Sequence, residues 1–248
     1  MDKKYWDDMS PKYEEEIFDV LKNDKHGIIK SRIQEFASPK KTVADIGCAV
    51  GKWLPLLSSS FEKVYAVDHS EKYTAYAQAK FGKKENIDFI TADMTRQPVK
   101  VPPSDVVLCV NAILINDAKK RAVFFNNLNN CLKKKGHLVL VVPSLESALY
   151  SEFRGGKWNE QEGIKAKSVL SAGDTRRFNE LKRGVIELDN IPTKHYLKEE
   201  LEITLQAEGF QVLHIEKVEY TWATEFDGPP AKMKGPFPWD WVVSAQKK

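Results

Sequence analysis

The chain has 248 residues, 42% of them hydrophobic, enough for one sizeable core with an elaboration and too apolar for wholesale disorder. Its 38 basic and 35 acidic side chains leave a formal charge of +3, which gives no global argument for nucleic acid or an anionic membrane as partner. Three widely spaced cysteines, Cys48, Cys109 and Cys131, fit neither a disulfide framework nor a zinc site, the charged start "MDKKYWDDMS" lacks the apolar core of a secretory signal, and "DVVLCVNAILIND" is too short and polar to span a bilayer. The expectation is a soluble, cytoplasmic protein with reduced thiols.

Ser10 and Pro11 predict a helix start, followed by Tyr13, Ile17 and Leu21 at four-residue spacing. Ile29, Ile33 and Phe36 make a second helical stripe that ends at Pro39. From Thr42 short β-branched runs alternate with helical stretches. "TVADI", "KVYAVD", "IDFITAD", "DVVLCVNA" and "HLVLVV" read as strands. "KWLPLLSS" and "SEKYTAYAQAKFG" read as helices, the second capped by Ser70 and stopped by Gly82. The stretch from Asp117 to Gly136 reads as one long helix with Phe124, Leu128, Cys131 and Leu132 on one face. Residues 144–196 carry no clean period. A helix "LKEELEITLQAEG" and strands "FQVLHIEKVEY" and "WDWVVSAQ" close the chain. Strands this continuously apolar suit parallel pairing, buried on both faces, so the alternation predicts an open α/β sheet.

The chemistry is concentrated at the strand ends. In "VADIGCAVGKW" an apolar run ends in Asp45 and is followed by Gly47, Cys48, Ala49 and Gly51 before a helix. A strand, a glycine turn and a helix start make a nucleotide-like site, because a chain without Cβ atoms lets a ligand approach its backbone. The spacing from Gly47, G-C-A-V-G-K, is not the G-x-G-x-x-G of dinucleotide binders, and no Walker lysine pattern is present. Asp68 ends the second strand, where a carboxylate suits the two hydroxyls of a ribose. Asp93 ends the third and Asn111 the fourth.

"VADIGCAVGKW" resembles motif I of the class I S-adenosylmethionine-dependent methyltransferases, small-molecule type, with Ala49 in place of the middle glycine. The resemblance covers residues 40–143 well and the last helix and two strands more loosely. It implies an α/β fold: an open, mostly parallel seven-stranded sheet with helices on both faces and the last strand antiparallel. It implies S-adenosyl-L-methionine as cofactor, with Asp68 on the ribose, His69 at the adenosine rim, Asp93 near the adenine amino group, Met94 against the ring and Asn111 on the methionyl part. "YWDDMSPKY" resembles a lid in which Tyr13 closes over the cofactor. The expected division is lid helices over 1–39, a cofactor domain over 40–143 and 197–248, and a cap over 144–196.

On this reading the protein moves a methyl group to a small-molecule acceptor by in-line displacement. Methyl transfer from a sulfonium needs alignment and water exclusion more than it needs a base. His195 is the candidate base where the acceptor carries a proton, and Trp158 and Tyr196 are the candidate acceptor contacts. No cluster has metal-ligand spacing, so no metal, nucleic-acid or membrane partner is expected. RNA or protein acceptors, a nucleotide-sugar or dinucleotide enzyme on a similar sheet, and a non-catalytic cofactor binder remain as alternatives.

Overall fold

A computed structural model describes residues 19–162, 179–188 and 191–248. The chain runs through α1 (Val20–Asn23), α2 (Ile28–Phe36), β1 (Ser38–Ile46), α3 (Leu54–Ser60), β2 (Phe61–Asp68), α4 (Glu71–Phe81), β3 (Ile87–Thr91) and β4 (Ser104–Val110). It continues through α5 (Ala118–Asn130), β5 (Leu132–Pro143), α6 (Leu145–Gln161), β6 (Val185–Leu188), β7 (Ile191–Lys194), α7 (Lys198–Ala207), β8 (Phe210–Glu219) and β9 (Trp239–Lys247).

Seven strands form one sheet in the order β3-β2-β1-β4-β5-β9-β8, and β6 and β7 make a separate antiparallel pair. β1 to β5 pair in parallel, while β9 runs antiparallel to both β5 and β8. The expected fold class is therefore the observed one. Side chains alternate across the strands and feed two cores. On one face Ala44, Ile46, Val107, Leu138 and Leu140 meet Phe124 and Leu128 of α5 and Leu201 and Leu205 of α7. On the other, Val43, Val64, Val106, Leu108 and Val139 meet Ile29, Ile33 and Phe36 of α2 and Leu54 and Leu57 of α3. Each buried Val, Leu, Ile or Phe among them contributes about 1.5–3 kcal/mol relative to exposure.

Local chemistry sets the helix starts. Ser70 accepts from the Tyr73 N–H and caps α4, and Asp117 accepts from the N–H groups of Lys119 and Lys120 and caps α5. Asp24 accepts from the N–H groups of Ile28 and Ile29 and does the same for α2.

Three expectations change. The helix after Asp117 stops at Asn130, and Leu132 already belongs to β5, pairing with Ser104. The ladder then slips before Val106 meets His137, with Lys135 in the left-handed region at φ 61. Lys133, Lys134 and Lys135, which the expected helix would carry in its last turn, sit on an irregular strand entry, where Lys133 pairs with Asp105. The first strand begins at Ser38 rather than Thr42, so Pro39, past the end of α2 at Phe36, already stands inside it. The aperiodic stretch after Pro143 contains the seventeen-residue α6 and the β6–β7 pair. Tyr13, Ile17 and the helix start at Ser10 lie outside the described residues.

Candidate active site

The carboxyl ends of β1, β2, β3 and β4 share one edge of the sheet, together with the start of β9, whose Asp240 pairs with Pro143 at the end of β5. In open α/β sheets this edge is where ligands bind.

The turn after β1 is tightly held. The N–H groups of Gly47 and Cys48 both donate to the Val67 carbonyl, at 2.8 and 3.0 Å. Gly47 has φ 80, and a Cβ there would stand 2.5 Å from the Cβ of Ala112, so a side chain would push apart the turns after β1 and β4. Ala49, where the motif usually has glycine, keeps a glycine-type conformation at φ 45. Gly51 also has a positive φ, and Cys48 is a buried free thiol raised by its burial.

Asp45 is 2% exposed, and its Oδ2 is buried without a hydrogen-bond partner. Burial, and then the nearby Asp68, push its carboxyl up to about 7. Asp68 is also buried, which raises it, but each of its oxygens holds a backbone donor. Oδ2 accepts from Ala49 N–H at 3.0 Å and Oδ1 from Ser70 N–H at 2.9 Å, with His69 Nδ1 3.5 Å from Oδ1. A carboxylate offers about four lone-pair sites, so acceptor capacity remains for two further hydroxyls.

Asp93 lies just past β3. Its Oδ1 accepts from the N–H and the hydroxyl of Thr95 and its Oδ2 meets Arg96 Nε at 3.1 Å; burial opposes these contacts, but together they hold the carboxyl below its usual range. Met94 is buried, and its carbonyl accepts from Asn127 Nδ2, which also donates to the Arg96 carbonyl. Asn111, just past β4, has φ 47, and its Nδ2 donates to Asp240 Oδ2 at 3.0 Å while its Oδ1 is buried without a partner. Tyr220 donates its hydroxyl to the same Asp240 oxygen at 2.9 Å.

The structure thus brings Asp45, Gly47, Cys48, Ala49, Gly51, Asp68, His69, Asp93, Met94 and Asn111 to one edge. The acceptor-side candidates divide. Tyr196 is 1% exposed, and its hydroxyl donates to the Ile113 carbonyl at 2.8 Å. It is a strut under the loop after β4, with no open face for an acceptor. His195 is 5% exposed, donates through Nδ1 to the Thr193 carbonyl at 3.1 Å, and is held low by burial. A carbonyl only accepts, so Nδ1 carries a proton, and burial favours the neutral ring, which leaves Nε2 as the basic nitrogen. Trp158 is half-buried on α6 and meets the Phe226 ring edge-on at 5.8 Å. Sequence reasoning missed Asn127, Tyr220 and Asp240. The signal for Asp240 was an acid inside the apolar run "WDWVV", which a half-buried strand does not tolerate without partners.

The description "methyltransferase domain" fits residues 43–136, the stretch that carries these strand ends. That stretch is a methyltransferase domain. No curated protein sequence matches the chain. A 1,6-didemethyltoxoflavin-N1-methyltransferase from Burkholderia thailandensis, solved with bound 1,6-didemethyltoxoflavin and S-adenosylhomocysteine, is similar with a TM-score of 0.65 at 11% identity over 99% of this chain and 87% of that one. The N-methyltransferase NodS from Bradyrhizobium japonicum, solved with S-adenosylhomocysteine, gives a TM-score of 0.60 at 11% identity over 99% and 97%. A methyltransferase from Methanosarcina mazei gives 0.60 at 16% identity over 87% and 96%. At these identities the likeness is one of fold.

Both the toxoflavin enzyme and NodS were solved holding S-adenosylhomocysteine, the demethylated form of S-adenosylmethionine. The residues present fit it on two counts: two buried acceptor oxygens, on Asp45 and Asn111, lack a donor, and Asp68 keeps lone pairs beyond those its backbone donors use. Among the described residues no group of three His, Cys, Asp or Glu is placed to hold a metal, and no helix is long and apolar enough to cross a membrane.

Proposed function

We propose that the protein transfers a methyl group from S-adenosylmethionine to a small organic acceptor that lies between the cofactor edge and an aromatic wall. The observation that carries this reading is the wall itself. Tyr150 and Trp158 of α6 and Phe226 are the partly exposed rings of the wall, backed by the buried Trp222 and Trp239, with ring centroids 5.5 to 6.2 Å apart from one neighbour to the next. It stands at the sheet edge that holds Asp45, Asp68 and Asn111, because α6 follows β5, Trp222 follows β8 and Trp239 opens β9. Organic ligands bury themselves against such surfaces with a few fixed polar groups. Two donors, the indole N–H of Trp239 and Nε of Arg154, are buried without a partner, which suits an acceptor carrying a carbonyl or ring nitrogen. The toxoflavin enzyme, similar in fold, holds a small molecule, 1,6-didemethyltoxoflavin, beside S-adenosylhomocysteine.

Bound S-adenosylmethionine supplies an electrophilic methyl group on a sulfonium, and the chain's part is alignment and dryness. In this proposal Asp68 accepts the ribose hydroxyls, and Asp45 and Asn111 accept from the methionyl ammonium. Asp93 and Met94 flank the adenine, His69 lines its rim, and His195 takes a proton where the acceptor must lose one. The segment before β1 serves as the lid, supported by Lys52, beside the glycine turn, which pairs with Asp19 at 2.7 Å. Residues 144–196 serve as the cap, and the free, buried thiols suit a cytoplasmic setting.

Incubation with methyl-labelled S-adenosylmethionine and, in parallel, a metabolite library, bulk RNA and a protein extract tests the reading. Label in a small organic product, with W158A changing the acceptor preference, is expected. Label in RNA, with transfer falling steeply as salt rises, overturns it in favour of a nucleic-acid enzyme.

A further inference from the structure

We propose that Asp240, with Tyr220, is a positioning residue that fixes the Asn111 amide so that its carbonyl oxygen, and not its NH2 group, faces the methionyl end of the cofactor.

The backbone of Asn111 is fixed first. Its N–H donates to the Val141 carbonyl at 2.9 Å, and its φ of 47 turns the chain sharply away from β4. One freedom that matters then remains, rotation of the amide by half a turn, which exchanges an acceptor for two donors.

Asp240 removes that freedom. It is 8% exposed and is locked into the sheet on both sides, paired with Pro143 of β5 and Val218 of β8. Its Oδ2 receives two hydrogen bonds, from Asn111 Nδ2 at 3.0 Å and from the Tyr220 hydroxyl at 2.9 Å. Tyr220 is itself held, its N–H donating to the Pro238 carbonyl at 2.8 Å. Burial raises Asp240 to about 6, which leaves it mostly ionised at neutral pH. An ionised carboxylate only accepts, so the amide must turn its NH2 toward it. The flipped amide would set oxygen against oxygen at hydrogen-bond distance.

The consequence is an oriented acceptor. With NH2 spent on Asp240, Asn111 Oδ1 is left buried and unpartnered. Leaving a buried acceptor unmade is costly, so the arrangement calls for a donor from outside the chain. Asp45 Oδ2, on the neighbouring strand, is in the same condition. Two buried, donorless oxygens on adjacent strand ends match a cationic amine. The inference rests on the proposal that Asn111 meets the methionyl part of the cofactor.

Calorimetry with two ligands tests it. S-adenosylhomocysteine carries the amino-acid portion, and 5′-methylthioadenosine lacks it while keeping the nucleoside. D240N can turn either face of its own amide to Asn111 and so releases the orientation. The expected result is roughly ten-fold weaker binding of S-adenosylhomocysteine, with 5′-methylthioadenosine within about two-fold of the wild type. Equal losses for both ligands would make Asp240 a structural brace, and no loss for either would also overturn the proposal. N111A separates the underlying reading. If N111A weakens S-adenosylhomocysteine selectively and D240N does not, the positioning role alone fails. If N111A leaves both ligands unchanged, the placement of Asn111 fails with it. Should D240N not fold, nuclear magnetic resonance of the wild type decides. The Asn111 side-chain NH2 signals, assigned by their loss in N111A, should be protected from exchange both before and after S-adenosylhomocysteine is added. Unprotected NH2 protons in the free protein contradict the proposal.

Discussion

Asp45 is the residue at which fold and function conflict most openly. It is fully buried with a donorless oxygen, and its carboxyl is raised to about 7 from 3.8. A raised carboxyl makes the native state bind a proton that the unfolded chain does not hold between pH 4 and 7. The contribution of Asp45 to stability therefore increases as pH falls from 8 to 5, the reverse of a salt-bridged acid. D45N should flatten that rise, stabilise the cofactor-free protein at pH 8 by about 1–2 kcal/mol and weaken S-adenosylhomocysteine binding. Denaturant titrations at several pH values check it, and an unchanged pH slope would contradict it. Ala49 shows a second conflict, a side chain at φ 45. A49G should raise stability by about 0.5–1 kcal/mol, since glycine removes the left-handed penalty but adds chain entropy; a loss of stability would mean that the Ala49 methyl group packs usefully. Asp45, Ala49 and Asp68 were legible because their meaning is local, a strand end and the turn after it. Asn127, Tyr220 and Asp240 were not, since each acts on a residue between 20 and 129 positions away.

At the scale of elements, the loop after β4 is held from below. Tyr196 reaches up to the Ile113 carbonyl, and the main chain of Lys194 donates to Leu114 at 3.0 Å. The Lys194 ammonium, 1% exposed, joins the Arg183 carbonyl to Glu200 of α7, so the β6–β7 pair and α7 move as one support. Y196F should leave the Ile113 carbonyl without this donor and cost about 1–2 kcal/mol, a fall of roughly 2–8 °C in melting temperature for a chain of this size, with cofactor affinity within a few fold. Unchanged melting with altered acceptor use would return Tyr196 to the acceptor surface. The strand and helix alternation was readable from periodicity alone. The end of α5 was not, because Cys131 and Leu132 continue the apolar helical spacing while β5 claims Leu132 through its pairing with Ser104. α6 was hidden for a related reason: Tyr150 and Trp158 face the aromatic wall while Leu149 and Phe153 are exposed, so no single apolar stripe marks it.

Over the whole molecule, the antiparallel insertion of β9 between β5 and β8 carries Trp239 and Asp240 to the edge where the parallel strands end. One sheet thereby places the strand-end carboxylates, an aromatic wall and the Asp240 network side by side. Residues 144–196 hold nine Lys or Arg against eight Asp or Glu, a poor surface for tracking phosphates, so turnover should change little between low and moderate salt. The most direct measurement is calorimetry of the wild type and D68A with S-adenosylhomocysteine and with NAD. The wild type should bind S-adenosylhomocysteine at one site and give no binding heat with NAD. D68A should fold normally and bind S-adenosylhomocysteine roughly ten- to a hundred-fold more weakly, the loss expected for charge-assisted hydrogen bonds. NAD binding tighter than S-adenosylhomocysteine, or D68A with undiminished affinity, would contradict the account.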